Sequence, residues 1–82
     1  MQISIAEIEN GLIDYFKEKI DTVVDSETLL LEEKVIDSMG VLELVAFLET
    51  AYKVEFSDDD LTVDNFKTIG SISELILSKV GA

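Results

Sequence analysis

The 82-residue chain contains no cysteine, no histidine and no proline, and its six basic side chains are all lysines. Without cysteine it has no disulfide, no thiolate nucleophile and no zinc–sulfur site. Without histidine it cannot build a Ser–His pair or a histidine-ligated metal centre. Without arginine no side chain can grip a phosphate or a carboxylate through two parallel hydrogen bonds. We therefore expect neither an enzyme nor a resident metal ion.

Eighteen acidic side chains give the chain a formal net charge of −12. Nucleic acid is excluded as a partner, because binding it requires lysines and arginines that displace counterions. Such a charge often signals disorder, but 48% of the residues are hydrophobic, which is enough for a folded protein. The length predicts a single domain over residues 1–82. We expect a monomer whose protein partners carry basic patches.

Membrane-spanning segments are not predicted. The longest uninterrupted apolar run is Leu44–Leu48, far below the roughly 20 residues that a spanning helix needs. The N-terminus has neither the cationic start nor the apolar core of a signal peptide. We therefore expect no membrane span and a cytoplasmic location.

Helical periodicity dominates the first twenty residues. Ser4, with Glu7 three residues later, predicts a helix start with a capping box. Gly11 lies within this helix and would allow a close contact with another helix. The apolar side chains that follow the start recur every three or four residues and predict one buried stripe: Ile5, Ile8, Leu12, Tyr15, Phe16 and Ile20.

Residues 21–37 are predicted to be a long loop that Leu29–Leu31 and Ile36 attach to the core. Asp37 predicts the N-cap of a second helix, because its carboxylate can accept hydrogen bonds from the following amides. The predicted buried stripe of this helix is Leu42, Leu44, Val45, Leu48 and Tyr52. Its predicted exposed strip is Met39, Glu43, Ala46 and Thr50.

Ser57 with Asp58–Asp60 predicts another helix start, and a short helical turn is expected around Asp64–Lys67. The last helix is predicted to begin near Thr68, or else at Ser71 with Glu74 as its capping partner. Its predicted stripe is Ile69, Ile72, Leu75, Ile76 and Val80. The fold class is therefore all-α, a small four-helix bundle of three longer helices and one short helix, with a long loop between helices 1 and 2.

Ser38 directly follows the predicted cap Asp37, which makes it an exposed serine at the first position of a helix. The free amide N–H groups and the positive end of a helix favour a phosphate attached there. No histidine is present to activate its hydroxyl, so another enzyme would have to modify it. An ordinary helix start, without any modification, is the alternative interpretation of these local features.

Asp37-Ser38-Met39, followed by Glu43 and Leu44 on a helix, resembles the attachment motif of acyl carrier proteins and of their peptidyl and D-alanyl relatives. The resemblance extends over nearly the whole chain. It includes the long loop before the serine, the apolar residues of the second helix, the acidic stretch 57–61 and the segment 66–69 before the last helix.

This resemblance implies that Ser38, with Asp37 beside it, carries a 4′-phosphopantetheine through a phosphodiester. A phosphopantetheinyl transferase would add the group from coenzyme A, and its thiol would hold the cargo as a thioester. The chain itself would catalyse nothing. Other implied partners are an acyl- or aminoacyl-loading ligase and synthase or acyltransferase enzymes with basic patches. The residues expected to contact partners are Met39, Glu43, Ala46 and Glu49, of which Glu49 is equally compatible with a solvated charge.

Gly40 stands where fatty-acid carriers commonly have an acidic residue, and Met39 replaces the commoner leucine. Asp37–Gly40 is similar to D-alanyl carriers and to stand-alone carriers of specialised pathways. We interpret the chain as a stand-alone acyl carrier of fatty acid, lipid or polyketide-type synthesis. The alternatives are an aminoacyl carrier, of D-alanyl or nonribosomal peptide type, and an unmodified acidic module that binds basic helices.

Overall fold

The computed structural model describes residues 4–80, in which three α-helices are the main elements. They are α1 (Ile5–Tyr15), α2 (Ser38–Tyr52) and α3 (Ile69–Val80). One wider π-helical turn, Phe16–Ile20, continues α1, and a 3₁₀ turn, Asp58–Asp60, lies between α2 and α3. Residues 4–80 contain no strand, so the all-α prediction is confirmed. The predicted fourth helix is not, because residues 63–66 form only a turn.

Each α-helix begins at a side-chain cap, and the sequence predicts the caps Ser4 and Asp37 and a start near Thr68 for the last helix. Ser4 Oγ, Asp37 Oδ1 and Thr68 Oγ1 each accept a hydrogen bond from the amide three residues on, at 3.2, 2.8 and 3.0 Å. These bonds satisfy amides that a helix start otherwise leaves without a partner. Of the two predicted starts of the last helix, the structure has the one at Thr68. None of the helices within residues 4–80 is long and apolar enough to cross a membrane.

One core joins the three helices and the long loop. Gly11 allows the predicted close contact, because a Cβ atom at this position would lie 2.7 Å from the Tyr52 hydroxyl oxygen. The core side chains are Ile8, Leu12, Phe16, Val24, Leu30, Ile36, Leu44, Leu48, Val54, Phe66, Ile69, Ile72 and Ile76.

Three residues that the stripes place in the core are exposed: Ile20, Leu42 and Val80, the last of which ends α3. Ile20 lies in the π-helical turn, which advances the chain by less than 100° per residue and so rotates it off the α1 stripe. Leu42 follows Ser38 by four residues and therefore lies on the same side of α2. It is 57% exposed. The predictions of burial for Ile20, Leu42 and Val80 were therefore wrong.

The loop of residues 21–37 is attached to the core at Leu30 and Ile36, as predicted, and also at Val24. The Leu30 amide donates to the Lys67 carbonyl oxygen at 2.9 Å. The Gly70 amide likewise donates to the Ser26 carbonyl oxygen at 3.0 Å. These bonds dock the loop on the start of α3 and thereby fix the segment that leads into Ser38.

Candidate functional site

Ser38 is exposed at the first position of α2, as the sequence predicts. Asp37 determines where the helix starts, because it has an extended backbone and its Oδ1 accepts from the Gly40 amide at 2.8 Å. The Asp37 carbonyl oxygen accepts from the Val41 amide at 2.9 Å and so begins the helical hydrogen bonds. The result is a serine hydroxyl at the surface, beside the amide end of a fifteen-residue helix.

Two features of this helix start favour a phosphate, although the Asp37 carboxylate beside Ser38 already accepts from the Gly40 amide. The helix dipole and the first amides favour an anion, and the first turn of α2 contains no acidic side chain. The glycine at position 40 has a packing explanation. A Cβ atom there would lie 3.2 Å from Ile36 Cβ and 3.4 Å from Asp37 Oδ1. A side chain at this position would press on Ile36 and on the cap, so local packing favours the glycine.

An apolar groove of about 300 Å³ opens directly beside Ser38. Its lining comes from two parts of the chain. One is α2 with the long loop, and the other is the wall formed by Leu61–Val63 together with the buried Phe66. No charged residue lines it. Its full lining is Leu31, Ser38, Val41, Leu42, Leu61, Thr62, Val63 and Phe66.

Exposed apolar side chains are concentrated around the same groove. Met39 is 65% exposed and Val63 is 67% exposed, and both Leu42 and Leu61 are also exposed. The other exposed large apolar side chains within residues 4–80, Ile20, Val23 and Val80, do not line the groove. An apolar patch on a protein surface commonly marks a place where another molecule binds.

Three of the four residues expected to contact partners share an exposed face of α2. Met39 and Ala46 are seven residues apart, about two turns, and so lie along one line. Glu43 is exposed on the side of this line that faces α1, about 140° around the helix from Ser38. Burial, and then the nearby charge of Glu43, raise the pKa of Tyr15 in α1.

Glu49 is in a different environment from Glu43. It is half-buried, and its Oε2 accepts a hydrogen bond from the Phe56 amide at 3.0 Å. This bond connects α2 to the segment that leads toward the 3₁₀ turn. Glu49 therefore has a structural bond to make, whether or not it also contacts a partner.

Sequence reasoning missed the groove wall at Leu61–Val63. The available signal was two apolar residues, Leu61 and Val63, set between acidic ones in a segment without helical periodicity. It also missed the bond between Asp60 and Lys79, whose Oδ2 and Nζ atoms are 2.7 Å apart. No local pattern indicates a pair separated by nineteen residues.

Comparison with known protein families matches the chain to a family model described as the phosphopantetheine attachment site. The match covers residues 10–76, which include Ser38 and the whole lining of the groove. Domains of this family are non-catalytic carriers to which a 4′-phosphopantetheine is covalently attached. No curated protein matches the chain.

Proposed function

The chain belongs to the phosphopantetheine attachment site family, and from this we propose that it is an acyl carrier protein with the 4′-phosphopantetheine on Ser38. The observation that carries the proposal is an exposed serine at a helix start that opens onto an apolar groove. The attached group would supply the thiol that this cysteine-free chain lacks, and acyl groups would be held there as thioesters.

Each residue around Ser38 has a role in this proposal. The Ser38 hydroxyl is the acceptor for the group transferred from coenzyme A. Asp37 fixes the helix start that presents it, and the first amides of α2 stabilise the charge of the resulting phosphodiester. In this proposal the transferase supplies the base that removes the hydroxyl proton, because the chain has no histidine and the neighbouring Asp37 carboxylate is used to cap α2.

The groove supports an acyl cargo over an aminoacyl one. An acyl chain would gain free energy by burying its methylene groups against Val41, Leu42 and Phe66. The ammonium group of an aminoacyl cargo would find no carboxylate in the lining and would lose its hydration there. The aminoacyl alternative depends on the similarity of Asp37–Gly40 to D-alanyl carriers, and the packing of Gly40 provides another reason for that sequence.

The partners in this proposal are a phosphopantetheinyl transferase, a loading ligase, and synthase or acyltransferase enzymes of the cytoplasm. They would contact Met39 and Ala46 through apolar surface and Glu43 through a basic side chain. Glu43→Lys should slow acyl transfer by roughly threefold to tenfold at low salt, because a charge at the edge of an interface mainly changes the association rate. Glu55→Lys, an exposed residue beyond α2, is the matched control. Equal rates for the two variants would remove Glu43 from the interface.

Intact-mass spectrometry tests the attachment site directly. The unmodified protein is incubated with coenzyme A and a broad-specificity transferase, together with the variants Ser38→Ala and Ser78→Ala. Ser78 is an exposed serine of α3 and serves as the matched control. We expect the parent and Ser78→Ala to gain one phosphopantetheinyl group and Ser38→Ala to gain none. No gain by the parent would contradict the carrier function and leave the unmodified interaction module, and a gain by Ser38→Ala would move the site.

The cargo is tested on the protein that carries the group. The arm is loaded either with octanoate or with D-alanine, and the methyl resonances of Val41, Leu42 and Val63 are compared with those of the unloaded protein. We expect octanoate to shift these methyl groups and D-alanine to leave them nearly unchanged. The opposite result would favour the aminoacyl carrier.

A further inference from the structure

Asp60 is the centre of a hydrogen-bond cluster in the segment between α2 and α3. Its Oδ2 accepts from the Ser57 amide at 2.9 Å, from Ser57 Oγ at 3.1 Å and from Lys79 Nζ at 2.7 Å. Its carbonyl oxygen accepts from Asn65 Nδ2 at 2.9 Å and from the Thr62 amide at 3.0 Å. One residue thus ties both ends of segment 57–65 to each other and to the last turn of α3.

The Asp60–Lys79 pair is partly shielded from water. The two side chains are 22% and 23% exposed, and Lys79 Nζ also lies 5.4 Å from the centre of the Phe56 ring. Within residues 4–80 this is the only salt bridge. A shielded pair with additional hydrogen-bond donors restrains its partners more than a pair between two fully solvated side chains does.

Leu61, Thr62 and Val63 directly follow Asp60 and form the groove wall that faces α2. We infer that Asp60 and Lys79 are positioning residues, which hold this wall beside Ser38 and thereby set how well the groove covers a cargo. The position of the wall follows from the contacts of the chain alone. Its effect on a cargo rests on the proposed function.

Amide hydrogen exchange on the unmodified protein tests the positioning role. In Asp60→Asn and Lys79→Met the amides of Thr62 and Phe66, both bonded within this segment, should exchange roughly tenfold faster. The Leu30 amide, which belongs to the long loop, should change much less. The controls are Asp59→Asn and Lys53→Met. Each removes one charge of the same sign as the corresponding variant, but from an exposed residue. No change at Thr62, or an equal acceleration of all three amides, would show that the pair does not position the wall.

Chemical cleavage tests the effect on a cargo. Octanoyl groups on the arm are treated with hydroxylamine, and the rate is compared among the parent, the two variants and the two controls. We expect cleavage to be about twofold to fivefold faster only in Asp60→Asn and Lys79→Met, because an opened wall exposes the thioester end of the chain. Equal rates in all proteins would overturn the effect on cargo. Failure to attach the group at Ser38 would contradict the proposed function instead, and hydrogen exchange would still decide the position of the wall.

Discussion

The two long connections of the fold, residues 21–37 and 53–68, are held in place by different forces. The first is attached to the rest of the fold by buried aliphatic side chains such as Leu30 and by backbone hydrogen bonds to Lys67 and Gly70. Its carboxylate bonds, at Asp25 and Glu33, stay within the loop itself. The second has Phe66 and Val54 in the core, but its middle is held by carboxylates, as described for Glu49 and Asp60. The first connection fixes Ser38, whereas the second provides the opposite wall of the groove.

This difference indicates which part of the site can change its shape. Burial of apolar surface responds little to pH or salt, so the attachment of residues 21–37 to the core should be insensitive to both, and only local bonds of this segment, such as the Asp37 cap, depend on a carboxylate. Bonds to carboxylates weaken when the group is protonated or screened. We therefore expect acid and salt to affect the groove wall more than the attachment of residues 21–37 to the core.

The largest expected effect comes from the first connection. Leu30→Ala removes a fully buried side chain and should lower the free energy of unfolding by about 2–5 kcal/mol. For a chain of this size the melting temperature would fall by roughly 10 °C or more. Val23→Ala changes an exposed side chain of the same loop and should cost less than about 0.5 kcal/mol. Urea unfolding measures the loss of stability in both variants. Similar losses would contradict the claim that burial of side chains such as Leu30 holds residues 21–37 in place.

Loss of the hydrogen bond between Glu49 and the Phe56 amide should have the next largest effect on stability. Glu49→Ala leaves the Phe56 amide without its acceptor and should destabilise the protein by about 1–3 kcal/mol. Glu49→Gln keeps an acceptor oxygen and should cost less. Thr50→Ala, at an exposed neighbouring position, is the control. Were Glu49→Ala as stable as this control but slower in transfer, the residue would be a partner contact and not a structural one.

Acid should weaken the second connection at Asp60. The hydrogen bonds from Lys79 and then from Ser57 lower its pKa below the ordinary value of 3.8. A carboxylate with a lower pKa in the folded state adds stability above its ordinary pKa, and this is lost as the pH falls through the folded value. Lys79 faces Asp60 from α3, and Asp58 and Asp59 lie on the same turn. The stability difference between the parent and Asp60→Asn should therefore be full at neutral pH and shrink below 3.8.

Urea unfolding at a series of pH values measures this difference. Asp59→Asn serves as the control, since it removes a neighbouring carboxylate for which residues 4–80 show no hydrogen bond. A difference between parent and Asp60→Asn that stays constant across the acid range would contradict the proposed role of the carboxylate charge.

The sequence predicted what depends on local chemistry. The caps at Ser4, Asp37 and Thr68 follow from short side chains beside free amides, and each is present. Sequence reasoning could not place the wall of the groove, because Asp60 and Lys79 meet only after the chain has folded. It also placed Leu42 in the core, since periodicity identifies an apolar face but does not tell whether another element covers it.

Salt should produce the smallest effect, and one that separates the two connections. The chain carries a net charge of −12, so NaCl or Mg²⁺ should raise the melting temperature by screening repulsion among carboxylates. The same screening weakens the Asp60–Lys79 pair, and the stability difference between the parent and Lys79→Met should therefore narrow as salt is added. The difference between the parent and Leu30→Ala should stay constant, because it arises from lost packing. Thermal unfolding across a salt series measures both differences. If they changed in parallel, the claim that charge holds the groove wall at Leu61–Val63 would be wrong.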